Sequence, residues 1–141
     1  MAFTKPRFPL SALLMLVAVS TSAQDESDLT MKEIMNDIIT PATGTIWGAY
    51  QLQTDAEWME VENAAMAVIE AAKQIGVGGK DEAFQLAAQE EDWKQYNREM
   101  IAATRSVLAA VAEKDEEALF AAGNDELYPP CESCHQQYQP R

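Results

Sequence analysis

The residues of this chain best suited to chemistry crowd into one run, Cys131-Glu132-Ser133-Cys134-His135. Two thiols three positions apart lie on one side of a helical turn. The C-x-x-C-H spacing is the one at which c-type haem is attached. The two thiols can add across the two vinyl groups of one porphyrin, forming two thioether bonds. His135 is then held beneath the iron and offers an imidazole nitrogen as proximal ligand. The chain has 2 cysteines and 1 histidine, and this run contains all of them.

Other chemistries use parts of the same pattern. A redox-active dithiol also takes the form C-x-x-C, but it usually opens a helix after a strand. Here Pro129 and Pro130 precede the run instead. A zinc site needs about four ligands, and two Cys with one His fall short unless carboxylates or a second chain contribute. A structural disulfide is the plainest alternative. The N-terminus favours haem. Lys5 and Arg7, the apolar run from Leu10 to Val19 and the small residues Thr21-Ser22-Ala23 read as a secretory signal over residues 1–23. The apolar run is well below the ~20 residues that span a bilayer. An exported chain with C-x-x-C-H fits a bacterial periplasmic c-type cytochrome.

Cleavage after Ala23 leaves residues 24–141, a length suited to one domain with a modest core. Two of the 10 Lys and Arg residues leave with the signal and all 23 Asp and Glu remain, so the mature chain carries a formal charge of −15. That balance argues against nucleic acid or an anionic membrane as partner. It favours docking to redox partner proteins with basic surfaces. No segment after the signal is apolar enough to span a membrane.

The elements that must position the run are helical throughout, with no strand-like alternation. Met31, Ile34, Met35, Ile38 and Ile39 form the first apolar stripe. Pro41 predicts a kink or restart, after which Ala42, Ile46, Trp47 and Tyr50 continue the stripe. Thr54 and Asp55 predict the cap of a second helix with Trp58, Val61, Ala65, Val68, Ile69, Ala72 and Ile75 inward, ended by Gly76, Gly78 and Gly79. Residues 82–89 are a candidate short helix. A third long helix carries Trp93, Tyr96, Met100, Ile101, Thr104, Val107, Leu108 and Val111. Lys114-Asp115 predicts a turn and a new cap. The last helix is expected to break or bend at Gly123-Asn124 and again at Pro129-Pro130. Four helices with short connectors imply an all-α, antiparallel four-helix bundle, with haem attached near the C-terminus of its last helix.

A helical chain with one C-x-x-C-H at the end of its last helix resembles the class II c-type cytochromes, meaning cytochrome c′ and its low-spin relatives. The likeness rests on two stretches. Residues 131–138 match the ending C-x-x-C-H-x-x-Tyr, and Met31-Lys32-Glu33-Ile34-Met35 is similar to the methionine-bearing first helix. Two departures bear on the local pocket. The family often has Arg directly after that Tyr, whereas Gln139 and Pro140 precede Arg141 here. Its fourth helix usually runs unbroken into the motif, where this chain has Pro129-Pro130. The resemblance implies one covalent haem c, with a monomer or a homodimer equally compatible.

In an up-down-up-down bundle, the end of the fourth helix lies beside the start of the first, so a distal ligand is expected there. A second imidazole is excluded. Met35 is the preferred sulfur because it sits one turn inside, among Ile34, Ile38 and Ile39, and Met31 is the alternative. Met59, Met66 and Met100 are expected to be packing residues, and Trp47, Trp58 and Trp93 are candidates to border the porphyrin. His/Met ligation implies an electron carrier. If both methionines only fill the pocket, the iron is five-coordinate and the resemblance implies binding of nitric oxide or carbon monoxide. An enzyme such as a peroxidase would want a distal acid–base residue, most often His, and the chain has no spare one.

Overall fold

The computed structural model describes Met1 and residues 28–139. The signal segment read over residues 1–23 thus lies, but for Met1, outside the described residues. Every regular element among them is helical. Five helices follow one another: α1 (31–47), α2 (Asp55–Gly76), the short α3 (Glu82–Ala87), α4 (Glu91–Glu113) and α5 (116–138). None is long and apolar enough to cross a membrane.

Local chemistry fixes most of the ends. Thr30 and Thr54 each cap a helix through a reciprocal box, with Glu33 and Glu57 as the returning carboxylates. Asp115 accepts the Ala118 amide at the start of α5. Lys114 ends α4 in a left-handed conformation at φ 51°. Past α2 the chain turns through Gly79 at φ +59°, where a side-chain carbon would stand 2.8 Å from the Leu29 carbonyl oxygen. Only glycine allows both that backbone and that approach. The turn then holds the entry to α1, since the Lys80 amide donates to Leu29 at 2.9 Å.

The helices do not end at Pro41, at Gly123-Asn124 or at Pro129-Pro130. Instead α1 and α5 each widen into a π segment, Ile34–Ile39 and Ala122–Leu127, and then resume as α-helix. The residue just before each proline takes the carbonyl five back: Thr40 donates to Met35, and Tyr128 donates to Gly123. A proline lacks an amide proton, and its ring strikes the carbonyl four back. After a wide turn, each proline falls in the first turn of the next α-helical stretch, where a missing amide proton costs little. The glycine and the prolines thus re-register their helices without ending them.

The core is drawn from α1, α2, α4 and α5. Ile34, Val61, Val68, Thr104, Val107, Leu119 and Leu127 are its largest fully buried side chains. Thr104 is buried without penalty because its hydroxyl donates to the Met100 carbonyl at 2.7 Å. Polar contacts join the helix ends. Lys114 pairs with Asp55, the Leu52 amide donates to Glu116 at 2.7 Å, and the Trp93 indole donates to the Ile75 carbonyl at 2.9 Å. α3 has no fully buried residue; Phe84 lays it against Trp93, with ring centroids 5.9 Å apart.

Candidate haem-binding site

The last stretch of α5, Tyr128–Tyr138, is α-helical, so Cys131 and Cys134 share a face one turn apart. That face looks into a cavity of about 370 Å³ lined by both cysteines and His135 from α5, and by Met35, Ile39, Thr43 and Trp47 from α1. Ile75 closes it from α2, and Trp93, Asn97 and Met100 close it from α4. A second cavity of about 500 Å³ adjoins the first through Met35, Ile75, Trp93, Cys134 and His135, and adds Met31, Lys32, Phe84 and Tyr138. Both volumes lie in the range of ~300–1,000 Å³ usual for ligand pockets.

Both thiols are free of disulfide. Burial pushes the Cys131 thiol up to about 11; burial, together with the Cys131 sulfur beside it, pushes Cys134 up to about 11. A reactive dithiol has the opposite character, with a thiolate favoured by nearby positive charge. His135 is exposed and also lines the cavity.

The structure brings Cys131, Cys134, His135 and Met35 to one cavity. Met31 borders only the second chamber. The relative depth expected of the two methionines is reversed. Met31 is 5% exposed whereas Met35 is only half-buried. The first turn is pinned from outside α1, because the Asp81 carboxylate accepts the Met31 amide at 2.7 Å. Of the three tryptophans, Trp47 and Trp93 border the cavity, and Trp58 packs into the core away from it. Met100 also lines the cavity, but Met59 and Met66 are not packing residues. They are 56% and 53% exposed, because the inward stripe of α2 runs through Trp58, Val61, Ala65 and Val68 and leaves them outside.

Tyr138 borders the second chamber, meets Trp93 edge-on at 5.0 Å and donates its hydroxyl to Glu90 at 2.8 Å. Asn97 and Thr43 line the first cavity as well, beyond the residues to which the sequence pattern points. Asn97 was visible in principle, as a polar residue on the apolar stripe of Trp93, Met100 and Thr104. Its amide nitrogen donates to the Ala72 carbonyl at 3.1 Å, and its Oδ1 is buried without a partner among the described residues. Thr43 spends its hydroxyl on the Ile39 carbonyl at 2.8 Å.

No family model, curated protein or solved structure matches this chain.

The residues present fit a covalently attached haem. The walls are apolar and aromatic, as a flat macrocycle requires. Two unpaired thiols at helical spacing and one imidazole stand along one wall. Lys32 at the rim of the second chamber is a cation suited to a carboxylate. The unpartnered Asn97 oxygen leaves an acceptor for a hydrogen-bond donor within the cavity or for an ordered water.

Proposed function

We propose that this chain is a periplasmic class II c-type cytochrome, exported by residues 1–23. It would fold as an antiparallel four-helix bundle around one covalent haem and serve as an electron carrier. The observation that carries this reading is the apolar cavity that Cys131, Cys134, His135 and Met35 all border. The bundle arrangement is supported by the joined helix ends, with Asp55 against Lys114 and Ile75 against Trp93. Both pairs join the start of one helix to the end of another, as opposed helices require.

When bound, haem supplies a one-electron couple at iron. The chain's own residues do the rest. Cys131 and Cys134 provide the two sulfurs for attachment. His135 offers a ring nitrogen on the α5 side, and Met35 offers a thioether from α1. Trp47 and Trp93 keep water from the cavity, and exclusion of water is one of the levers that set potential. Lys32 is placed to neutralise a carboxylate.

The deciding measurement is the visible spectrum of the mature protein produced with a periplasmic haem-attachment system, oxidised and then reduced. Sharp, split bands on reduction mean six-coordinate, low-spin iron and an electron carrier. A broad high-spin spectrum that shifts with carbon monoxide would instead make the chain a gas-binding protein. Pigment that washes out in acidified acetone would refute attachment at Cys131 and Cys134.

A further inference from the structure

Four large aromatic side chains lie exposed near the junction of α1 and α5. Tyr50 is 75% exposed, Phe120 68%, Tyr128 49% and Trp47 40%. Phe120 and Tyr128 are eight residues apart, which in a regular α-helix would leave them about 80° out of line. The π segment between them takes up about one extra residue, so eight steps close on roughly two turns and both side chains share a face. Trp47 meets Tyr128 edge-on at 6.1 Å and donates to the Gly123 carbonyl between the two. The Leu52 amide is bonded to Glu116, so residues 47–52 run beside 116–123, and Tyr50 lies on that stretch. The strip ends at the cavity mouth, where Trp47 and Pro130 are lining residues.

The chain segments that carry this strip bear charge of one sign. Residues 33–72 and 115–139 contain 13 Asp and Glu and no Lys or Arg. The cations of the described chain lie on other segments: Lys32 at the far end of α1, Lys73 and Lys80 near the end of α2, Lys94, Arg98 and Arg105 on α4, and Lys114 just before α5. Lys114 is itself turned onto Asp55. Glu117 and Asp125 each stand three residues before a strip aromatic and are exposed. An exposed apolar patch with a charged rim is the usual form of a protein contact site. A rim of one sign selects a partner of the other and speeds encounter. It also discourages a second copy of this chain, which would bring acid against acid.

We propose that the strip of Trp47, Tyr50, Phe120 and Tyr128, rimmed by Glu117 and Asp125, is the docking face for a redox protein with a basic surface. The proposal rests on the electron-carrier reading and adds where the partner sits. The aromatics give a small dry centre beside the cavity mouth, and the acids supply attraction that salt weakens. Such a contact belongs to the small, short-lived class of redox encounters.

The test titrates the mature holoprotein with a class I cytochrome c whose haem edge is ringed by lysines, used as a defined basic probe. Binding is followed by amide shifts at low and moderate salt. The expected result is perturbation centred on the strip, and binding that falls with salt. Glu117→Lys combined with Asp125→Lys should weaken binding at least tenfold. Phe120→Ser should weaken it several-fold and leave the salt dependence in place. Glu99→Lys, on the outer face of α4, serves as the control and should change binding less than twofold. Equal losses from the control and the strip variants would overturn the proposal, as would no loss from either strip variant. So would concentration-dependent self-association abolished by Phe120→Ser, which would assign the face to a second copy. The absorption spectrum of each variant separates the two failures. Absence of haem sinks the carrier reading, whereas normal haem with indifferent binding sinks the docking face alone.

Discussion

Trp47 donates its indole N–H to the Gly123 carbonyl across 2.8 Å, and that same carbonyl accepts the Tyr128 amide of the π segment. One oxygen therefore holds the wide turn of α5 and ties it to the end of α1. A side-chain carbon at Gly123 would stand 3.3 Å from the Trp47 ring, so the two residues fit each other closely. Trp47→Phe keeps an aromatic ring and removes the donor. It should cost about 1 kcal/mol, the usual net worth of such a bond, read as a lower urea midpoint with unchanged m-value. No change would mean that the bond holds nothing together.

The two methionines of α1 make separate predictions. Met35 borders the first cavity together with both cysteines and His135. Met35→Leu should convert a low-spin spectrum to a high-spin one if its sulfur is the distal ligand. Met31 is buried, and its backbone is pinned by Asp81. Met31→Leu, a nearly volume-conserving swap, should cost less than about 1.5 kcal/mol and leave the spectrum as it was. The reverse pattern would move the ligand to Met31, and unchanged spectra in both variants would end methionine ligation.

Acid should loosen the start of α2 in a way that one substitution removes. The Gln53 amide, the Thr54 hydroxyl and the Thr54 amide all donate to the Glu57 carboxylate, and together they hold it below its ordinary 4.5. A carboxyl with a depressed folded pKa contributes stability that is fully present above its unfolded value and is lost as pH falls through the folded one. Stability should therefore decline below about pH 4.5, and Glu57→Gln should flatten that part of the curve while lowering the plateau at neutral pH. Thermal unfolding followed by circular dichroism from pH 3 to 7 measures both. A variant with the same acid slope as the parent would exclude this group as a cause.

The sequence announced the helix boundaries well where one side chain does the capping. Thr54 and the Lys114-Asp115 turn are examples, because a cap is local and its partner lies within three residues. It announced the site run for the same reason, since Cys131, Cys134 and His135 are contiguous on one helix. Failure came where the outcome depends on something distant or on a rarer helix geometry. Pro41 and Pro129-Pro130 carry a real local penalty, and nothing in their neighbours' identity says that a π turn will absorb it. The first turn of α1, where Met31 is buried, is held by Asp81, 50 positions away. Met59 and Met66 were hydrophobic and at helical spacing, but the rotation of α2 is set by its wider stripe, and methionine is tolerated outside it.

Trp93 is the residue on which the cavity and the fold depend together. It is 2% exposed, donates to the Ile75 carbonyl at 2.9 Å, stacks edge-on against Tyr138 at 5.0 Å and borders both chambers. Trp93→Leu removes the donor, leaves the Ile75 carbonyl with the Gly78 amide alone and opens space under α3 where Phe84 lay against the ring. The loss should be about 3 kcal/mol, within the range for large-to-small core changes, and should appear in both the apo and the haem-loaded chain. Trp93→Phe restores most of the volume without the N–H, so it should recover more than half of that loss and leave roughly the 1 kcal/mol of the hydrogen bond. If the two variants were equally destabilised, the bond to Ile75 would outweigh packing. A leucine variant as stable as the parent would show that the ring serves the cavity and contributes nothing to the fold.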